Sequence, residues 1–170
     1  AAAYYLAKRG VRVVLFEKDE IGRAQSGRNW GFVRQQGRDP LELPLMSESI
    51  RIWAGIEGEL GADVEWVQGG NLALANTPDR IALFEEWSKT AREHGLITRV
   101  LTPVELGQLI PDMHGEWLGG MYTASDGQAE PRKATRAFAA AAVARGARVV
   151  ERCAVAAIET ENGAVCGVRY

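Results

Sequence analysis

The apolar residues of this chain form two kinds of pattern, unbroken runs and helical stripes. The first run, Val13–Phe16, has no polar alternation, which is typical of a parallel strand buried on both faces. A strong helix-forming stretch, Ala1–Arg9, precedes it, and Gly10 stands where a helix C-cap belongs. Glu17 follows the run directly. The pattern therefore predicts a helix, a buried parallel strand and an acid at the carboxyl end of that strand.

Further stripes and runs predict the remaining elements. Thr77 and Thr102 are predicted N-caps, the second within a capping box closed by Glu105, and Asn162-Gly163 predicts a hairpin turn. Helices are predicted within Leu41–Leu60, from Thr77 to Gly95, after Thr102 and over Pro131–Arg145. Strands are predicted at Val64–Val67, Asn71–Ala75, Ile97–Leu101, Trp117–Thr123, Val149-Val150, Val155–Ile158 and Val165–Tyr170.

The order of these elements predicts two layers of different origin. Strands alternate with helices at the start of the chain and cluster later, so we expect the α/β class, with α+β character overall. Residues 1–40 and 147–170 are predicted to form a partial Rossmann-like, nucleotide-binding domain. Residues 41–146 are predicted to be inserted, as a mixed or antiparallel sheet with flanking helices.

Composition narrows the function classes. Apolar residues make up 46% and charged residues 25% of the chain, and the formal net charge is −2. This charge does not favour nucleic acid or an anionic membrane surface as a partner. No apolar run approaches the ~20 residues of a membrane-spanning helix, and we expect no signal peptide. The two cysteines, without a CxxC motif, predict a reducing, cytoplasmic setting.

Glu17 is the first candidate for a binding residue. In doubly wound sheets an acid at this place accepts hydrogen bonds from ribose hydroxyls. The alternative is a solvated charge at the end of a strand. Lys18 would lie beside the adenosine and contribute its backbone more than its charge.

The second candidate is the loop Gln25–Gly31. Its glycines let backbone N–H groups approach an anion closely. Ser26 and Asn29 add side-chain donors, and Arg28 adds a charged fork suited to phosphate. The alternative is an ordinary surface loop with a satisfied arginine.

These features together resemble those of a known protein family. The first 45 residues, and above all Ser26–Gly31, resemble the N-terminal region of flavin-dependent amine oxidoreductases, the superfamily of D-amino-acid oxidase, glycine oxidase and sarcosine oxidase. In that family the fingerprint G-x-G-x-x-G lies immediately upstream of the helix found here at Ala1–Arg9, and these 170 residues do not contain it. We therefore expect the chain to begin inside a βαβ unit and to match about the first half of a typical member.

The resemblance implies FAD as the cofactor and assigns further roles. It implies that Gln25, Ser26, Arg28, Asn29 and Gly31 run beneath the pyrophosphate, and that Val155 binds adenine through its backbone. Trp30, Phe32 and Val33 would shield the flavin ring or belong to the core. Arg34 would face the substrate carboxylate, with a surface salt bridge as the alternative.

The activity implied is FAD-dependent oxidation of a small amine or amino acid, with hydride transfer to the flavin. No residue is selected as catalytic acid or base, and this chain alone is expected to be inactive.

His94 and His114 lack a second ligand at metal spacing, so no metal is predicted. Asp126 and Glu130 are explained by capping as well as by chemistry. Two alternatives stay open: a flavin monooxygenase or NAD-dependent dehydrogenase, and a non-catalytic fragment. The segment Ser26–Gly31 favours the amine-oxidising branch.

Overall fold

The computed structural model describes residues 1–170 and contains six α-helices, two 3-10 helices and nine strands. The α-helices are α1 (Ala2–Lys8), α2 (Leu43–Trp53), α3 (Ile56–Leu60), α4 (Pro78–Glu93), α5 (Pro103–Leu109) and α6 (Pro131–Val143). The strands are β1 (Val14–Phe16), β2 (Phe32–Val33), β3 (Asn71–Ala75), β4 (Thr98–Leu101), β5 (Gly119–Thr123), β6 (Gly127–Gln128), β7 (Arg148–Val150), β8 (Ala157–Glu161) and β9 (Ala164–Arg169). The 3-10 helices are Gln25–Gly27 and Pro40–Glu42. The mixed α/β fold class is confirmed, and no helix is both long and apolar enough to cross a lipid bilayer.

The chain forms two compact units. The first contains Ala1–Gly31, Glu57–Glu65 and Glu130–Tyr170, and the second contains Phe32–Ile56 and Trp66–Ala129. These boundaries differ from those drawn at residues 40/41 and 146/147, because α6 packs on α1 and leads directly into β7. That one unit serves a nucleotide and the other a substrate stays a prediction.

The first unit is built on the parallel pair β1–β7, in which Val14 lies opposite Arg148 and Phe16 opposite Val150. The predicted return of Val149-Val150 to this sheet is confirmed. The predicted burial on both faces is not confirmed, since Val14 is 53% exposed. Strand β1 has a strand neighbour on one side only. The hairpin β8–β9 turns at Asn162 and Gly163, which have φ of 51° and 78° as predicted for this turn.

Small side chains let α1 and α6 approach each other in the core of the first unit. Tyr4 is fully buried there among Ala7, Ala141 and Ala142. Its hydroxyl donates to Glu59 Oε1 at 2.9 Å, and Lys8 Nζ reaches the same oxygen at 2.8 Å. These bonds explain why residues 57–65 belong to this unit.

The second unit contains an antiparallel sheet in the order β3-β5-β4, and β2 pairs separately with β6. Helix α4 packs on the sheet through Phe84, against Ala75 and Met121. The predicted N-cap at Thr77 and the capping box at Thr102 are confirmed.

Two predicted elements were wrong in detail. The stripe within Leu41–Leu60 is interrupted at Ala54 and Gly55, so it forms α2 and α3 instead of one helix. Val64–Val67 is not a strand, because Glu65 has a φ of 56°, which breaks an extended backbone. Val67 alone forms an isolated bridge, with Gln128.

Candidate functional site

Glu17 lies at the carboxyl end of the parallel pair, where the sequence predicts a ligand. Its N–H donates to Val150 O and its carbonyl accepts from Cys153 N, each at 2.9 Å, so the backbone stays in register with the second strand. The half-buried carboxylate accepts from Asp19 N through Oε1 at 2.8 Å. Its Oε2 has no hydrogen-bond partner, so one carboxylate oxygen is open to a hydroxyl donor.

Val155 is two residues after Cys153, whose backbone N–H donates to the carbonyl oxygen of Glu17. A strand was predicted from Val155, but β8 begins at Ala157. The Val155 side chain is 42% exposed, and its backbone N–H and C=O make no hydrogen bond within the chain. Since an unpaired peptide presents one donor and one acceptor, it can bind the edge of a heterocycle. The structure therefore brings Glu17, the exposed Lys18 and Val155 to one edge of the sheet.

The loop 25–31 is held closed by one side chain. Asn29 Nδ2 donates to Ser26 O at 3.0 Å and to Gln25 O at 3.5 Å. Asn29 Oδ1 accepts from Gly31 N at 2.8 Å. Asn29 and the Gly31 N–H are thus occupied inside the loop, whereas the side chains of Gln25, Ser26 and Arg28 are exposed.

Gly27 is important for this loop, although the sequence analysis did not select it. A Cβ at Gly27 would stand 1.8 Å from Gly22 O and 3.1 Å from Arg132 Cγ. A Cβ at Gly22, which has a φ of +81°, would lie 3.6 Å from Thr135 Cβ. The 3-10 turn therefore lies directly on the first turns of α6. The glycines are visible in the sequence, but nothing in the sequence indicates that they contact a helix about a hundred residues later.

A second group of residues that the sequence analysis missed connects the loops that follow β1 and β7. Arg152 Nη2 donates to Glu20 Oε1 at 2.9 Å, and Arg152 N donates to Asp19 O at 2.8 Å. Ile21 N donates to Glu151 Oε1 at 2.6 Å. The hydrogen bond from Arg152 lowers the pKa of the exposed Glu20 carboxyl, so this ion pair persists at neutral pH. The first half of the segment between Glu17 and Gly31 is anchored in this way.

Arg34 belongs to the second unit. It is half-buried, and Nη1 donates to Gln36 O at 3.3 Å. It makes no ion pair, so the alternative of a surface salt bridge is not what the structure contains. The remainder of its guanidinium is free to pair with an anion.

A buried polar network holds the segment that carries Arg34. Asp126 is fully buried, and its two oxygens accept from Gln35 N at 2.8 Å and Gln36 N at 3.1 Å. Burial raises the pKa of the Asp126 carboxyl, an effect that these N–H groups and the nearby arginines Arg34 and Arg38 oppose. Asp126 is therefore no helix cap, whereas Glu130 does cap α6 by accepting from Arg132 N at 3.0 Å.

Gln36 completes this network. Its Nε2 donates to Asn71 O, Met121 O and Thr123 Oγ1 at 3.0, 2.9 and 3.1 Å. Its Oε1 accepts from Asn71 Nδ2 at 2.6 Å. The segment after β2 is thereby joined to β3 and β5, and no periodicity in the sequence signals that Gln36 is buried.

Comparison with protein families gives a match over nearly the whole chain. The model described as "DAO: FAD dependent oxidoreductase" matches residues 1–169. The chain is 32% identical over 183 residues to the mitochondrial sarcosine dehydrogenase of Mus musculus, which covers 95% of this chain and 20% of that protein. It is 27% identical over 175 residues to sarcosine oxidase subunit beta of Rhizobium meliloti (strain 1021), which covers 99% of this chain and 42% of that protein.

A solved structure gives the same picture. The L-amino acid deaminase from Proteus myxofaciens, in complex with anthranilate, superposes with a TM-score of 0.91 at 28% sequence identity. The match covers 98% of this chain and 38% of that one. The chain thus spans less than half the length of each of these three relatives.

Proposed function

We propose that this chain, which belongs to the DAO family of FAD-dependent oxidoreductases, holds the adenosine and pyrophosphate of FAD in its first unit. We further propose that it is part of an enzyme that oxidises a small amine or amino acid. The names of the relatives support this substrate class, since they act by name on sarcosine or on L-amino acids.

The free oxygen of Glu17 beside the unpaired peptide of Val155 carries the proposal. Glu17 Oε2 can accept from the ribose hydroxyls, while Oε1 stays bound to Asp19 N. The Val155 N–H and C=O have no partner in the chain and can pair with the adenine edge. An adenosine fits these groups because its ribose hydroxyls and adenine edge complement the polar groups that Glu17 and Val155 leave unpaired within the chain.

The loop 25–31 is proposed to receive the pyrophosphate. Ser26 and Arg28 have exposed polar groups that suit phosphate oxygens, and the exposed Gln25 precedes them in the loop. Asn29 and Gly31 contribute by holding the loop closed, because their polar groups already bind each other.

The second unit is proposed to serve the substrate. A bound flavin would supply the acceptor for a hydride from the carbon next to the amine, and the protein would supply position, charge and exclusion of water. Arg34 is proposed to pair with the substrate carboxylate, because its guanidinium is free of acidic partners and its backbone is held through Gln35 and Gln36. No side chain of the chain is assigned as acid or base.

A cytoplasmic setting is also proposed. Cys153 and Cys166 are both free thiols, and thiols persist in reducing compartments.

Titration of the purified chain with adenosine and FAD, followed by NMR so that millimolar affinities are measurable, tests the cofactor assignment. Glu17→Ala is expected to weaken binding of both by ~1.5–3 kcal/mol, the usual loss for a hydrogen bond to a charged group. Glu161→Ala removes an exposed acid from the far end of the hairpin and should change nothing. Unchanged affinity in a folded Glu17→Ala variant would contradict the assignment.

The reaction class is tested in any polypeptide that contains these residues and retains FAD. Under anaerobic conditions, sarcosine, glycine or an amino acid should bleach the flavin absorbance. Bleaching by NADH or NADPH, without bleaching by any amine, would instead identify the monooxygenase alternative.

A further inference from the structure

Arg132, the second residue of α6, lies at the edge of the sheet where Glu17 lies. Helix α6 leads within a few residues into β7, and β7 runs parallel to β1. The helix must therefore run antiparallel to both strands, as in any crossover connection. Its first turn consequently lies toward the carboxyl ends of β1 and β7.

The aliphatic part of the Arg132 side chain, called its stem below, lies against the loop 25–31, the proposed site of the pyrophosphate. The Cβ position of Gly27 is 3.1 Å from Arg132 Cγ, and that of Gly22 is 4.0 Å from Arg132 Cα. No side chain separates the arginine from the loop at Gly27. A guanidinium at the end of this stem begins beside the loop and can extend over it.

The charge of Arg132 is not used within the chain. Its side chain is exposed and makes neither an ion pair nor a hydrogen bond, and its backbone N–H donates to the Glu130 carboxylate. Four other cations of this unit are paired with acids: Lys8 with Glu59, Arg23 with Asp19, Lys133 with Asp63 and Arg152 with Glu20. Arg132 therefore differs from Lys133, its neighbour on the same helix.

We infer that Arg132 binds the pyrophosphate of the dinucleotide together with Arg28. The inference rests on the proposed function, because it takes the loop 25–31 as the pyrophosphate site. A planar guanidinium pairs with two phosphate oxygens at once, so two arginines from separate elements can neutralise the two negative charges of a pyrophosphate. The bound group is a diphosphate ester, and adenosine alone would not contact Arg132.

Binding of ADP and of adenosine to the 170-residue chain separates this role from a structural one. Arg132→Ala is expected to weaken ADP binding about tenfold, the loss typical of a charge-assisted hydrogen bond, and to leave adenosine binding unchanged. Arg132→Lys should recover part of the ADP affinity, because it restores the charge without the fork. Arg136→Ala is the matched control, since it removes the same charge one turn further along α6 and should not affect either ligand.

The outcomes distinguish the two proposals. If the wild-type chain binds ADP tighter than adenosine and Arg132→Ala abolishes that difference, the inference stands. If the wild-type chain shows this preference and Arg132→Ala retains it, the inference is wrong and the proposed cofactor site is unaffected. Equal losses of ADP and adenosine would show that Arg132 only shapes the fold. A wild-type chain that binds neither ligand overturns both proposals.

Discussion

Asp126 carries a carboxylate into the interior of the second unit, with each oxygen accepting one backbone N–H. An unpaired buried carboxylate would be very unfavourable, so the geometry of residues 35 and 36 is set by the need to satisfy it. Gln36 then extends the network to β3 and β5. The backbone that positions Arg34 is therefore determined by two buried polar side chains instead of by apolar packing.

The Asp126→Asn variant, measured at neutral and at acid pH, tests how much the buried carboxylate stabilises the second unit. An amide nitrogen would face a backbone N–H, so we expect a loss of about 1–3 kcal/mol in the free energy of unfolding. Because burial raises the folded-state pKa above the ordinary 3.8, the stability that Asp126 contributes is fully present below pH 3.8 and is lost as pH rises through the folded-state pKa. The difference in free energy of unfolding between wild type and Asp126→Asn should therefore become smaller as pH rises.

Urea denaturation between pH 3 and pH 8 measures that difference, with Asp79→Asn on the exposed first turn of α4 as the control. A difference that widens with pH would show that the N–H groups and arginines outweigh burial.

At the scale of elements, residues 22–27 and α6 form one packed arrangement. The 3-10 turn Gln25–Gly27 lies on the helix because neither Gly22 nor Gly27 has a side chain to hold it away. The same helix carries Arg132 and, through Ala141 and Ala142, packs on α1. A change at the loop is thus transmitted to the helix that supports the parallel strands.

Gly27→Ala should disturb this arrangement. The new methyl group would stand 1.8 Å from Gly22 O, so the backbone has to move, with an expected cost of about 1–3 kcal/mol in stability. Gly58→Ala is the matched control, because Gly58 lies within α3 and its Cβ would meet nothing within 4 Å. There the helix should gain about 0.5–1 kcal/mol. Equal denaturation midpoints for wild type and Gly27→Ala would refute the close contact.

At the scale of the whole molecule, the first unit combines three separate segments of the chain. The groups proposed for adenosine come from the first and third segments, since Glu17 and Val155 are far apart in sequence. The 170 residues nevertheless contain no G-x-G-x-x-G turn, the element whose backbone N–H groups bind pyrophosphate in this fold. Within these 170 residues, the groups proposed for the pyrophosphate are therefore those of the loop 25–31 and Arg132.

We therefore expect the 170-residue chain, expressed alone, to bind FAD weakly and to oxidise no amine. The chain is mixed with excess FAD, desalted, and examined by its visible spectrum. The expected result is loss of the flavin on desalting. A nearly stoichiometric flavin band that a D-amino acid, glycine or sarcosine bleaches would contradict this expectation.

Much of the local structure was determined by the sequence itself. The unbroken run before Glu17, the caps at Thr77 and Thr102 and the turn at Asn162-Gly163 could all be predicted. Each depends on residues within a few positions of one another, where propensity and capping act directly. The loop Ser26–Gly31 could likewise be chosen from its own residues, although its role remains a proposal.

Only the tertiary structure decided which distant residues complete each arrangement. Three such arrangements join positions about ninety or more residues apart. They are the packing of Gly27 on α6, the hydrogen bond from Gln35 N to the buried Asp126, and the inclusion of α6 in the first unit. Burial of Gln36 is the opposite of what its polarity predicts, and it is stable because three residues of two strands satisfy its amide through four hydrogen bonds. Polarity along a sequence indicates which groups need partners, and the fold alone determines where those partners are.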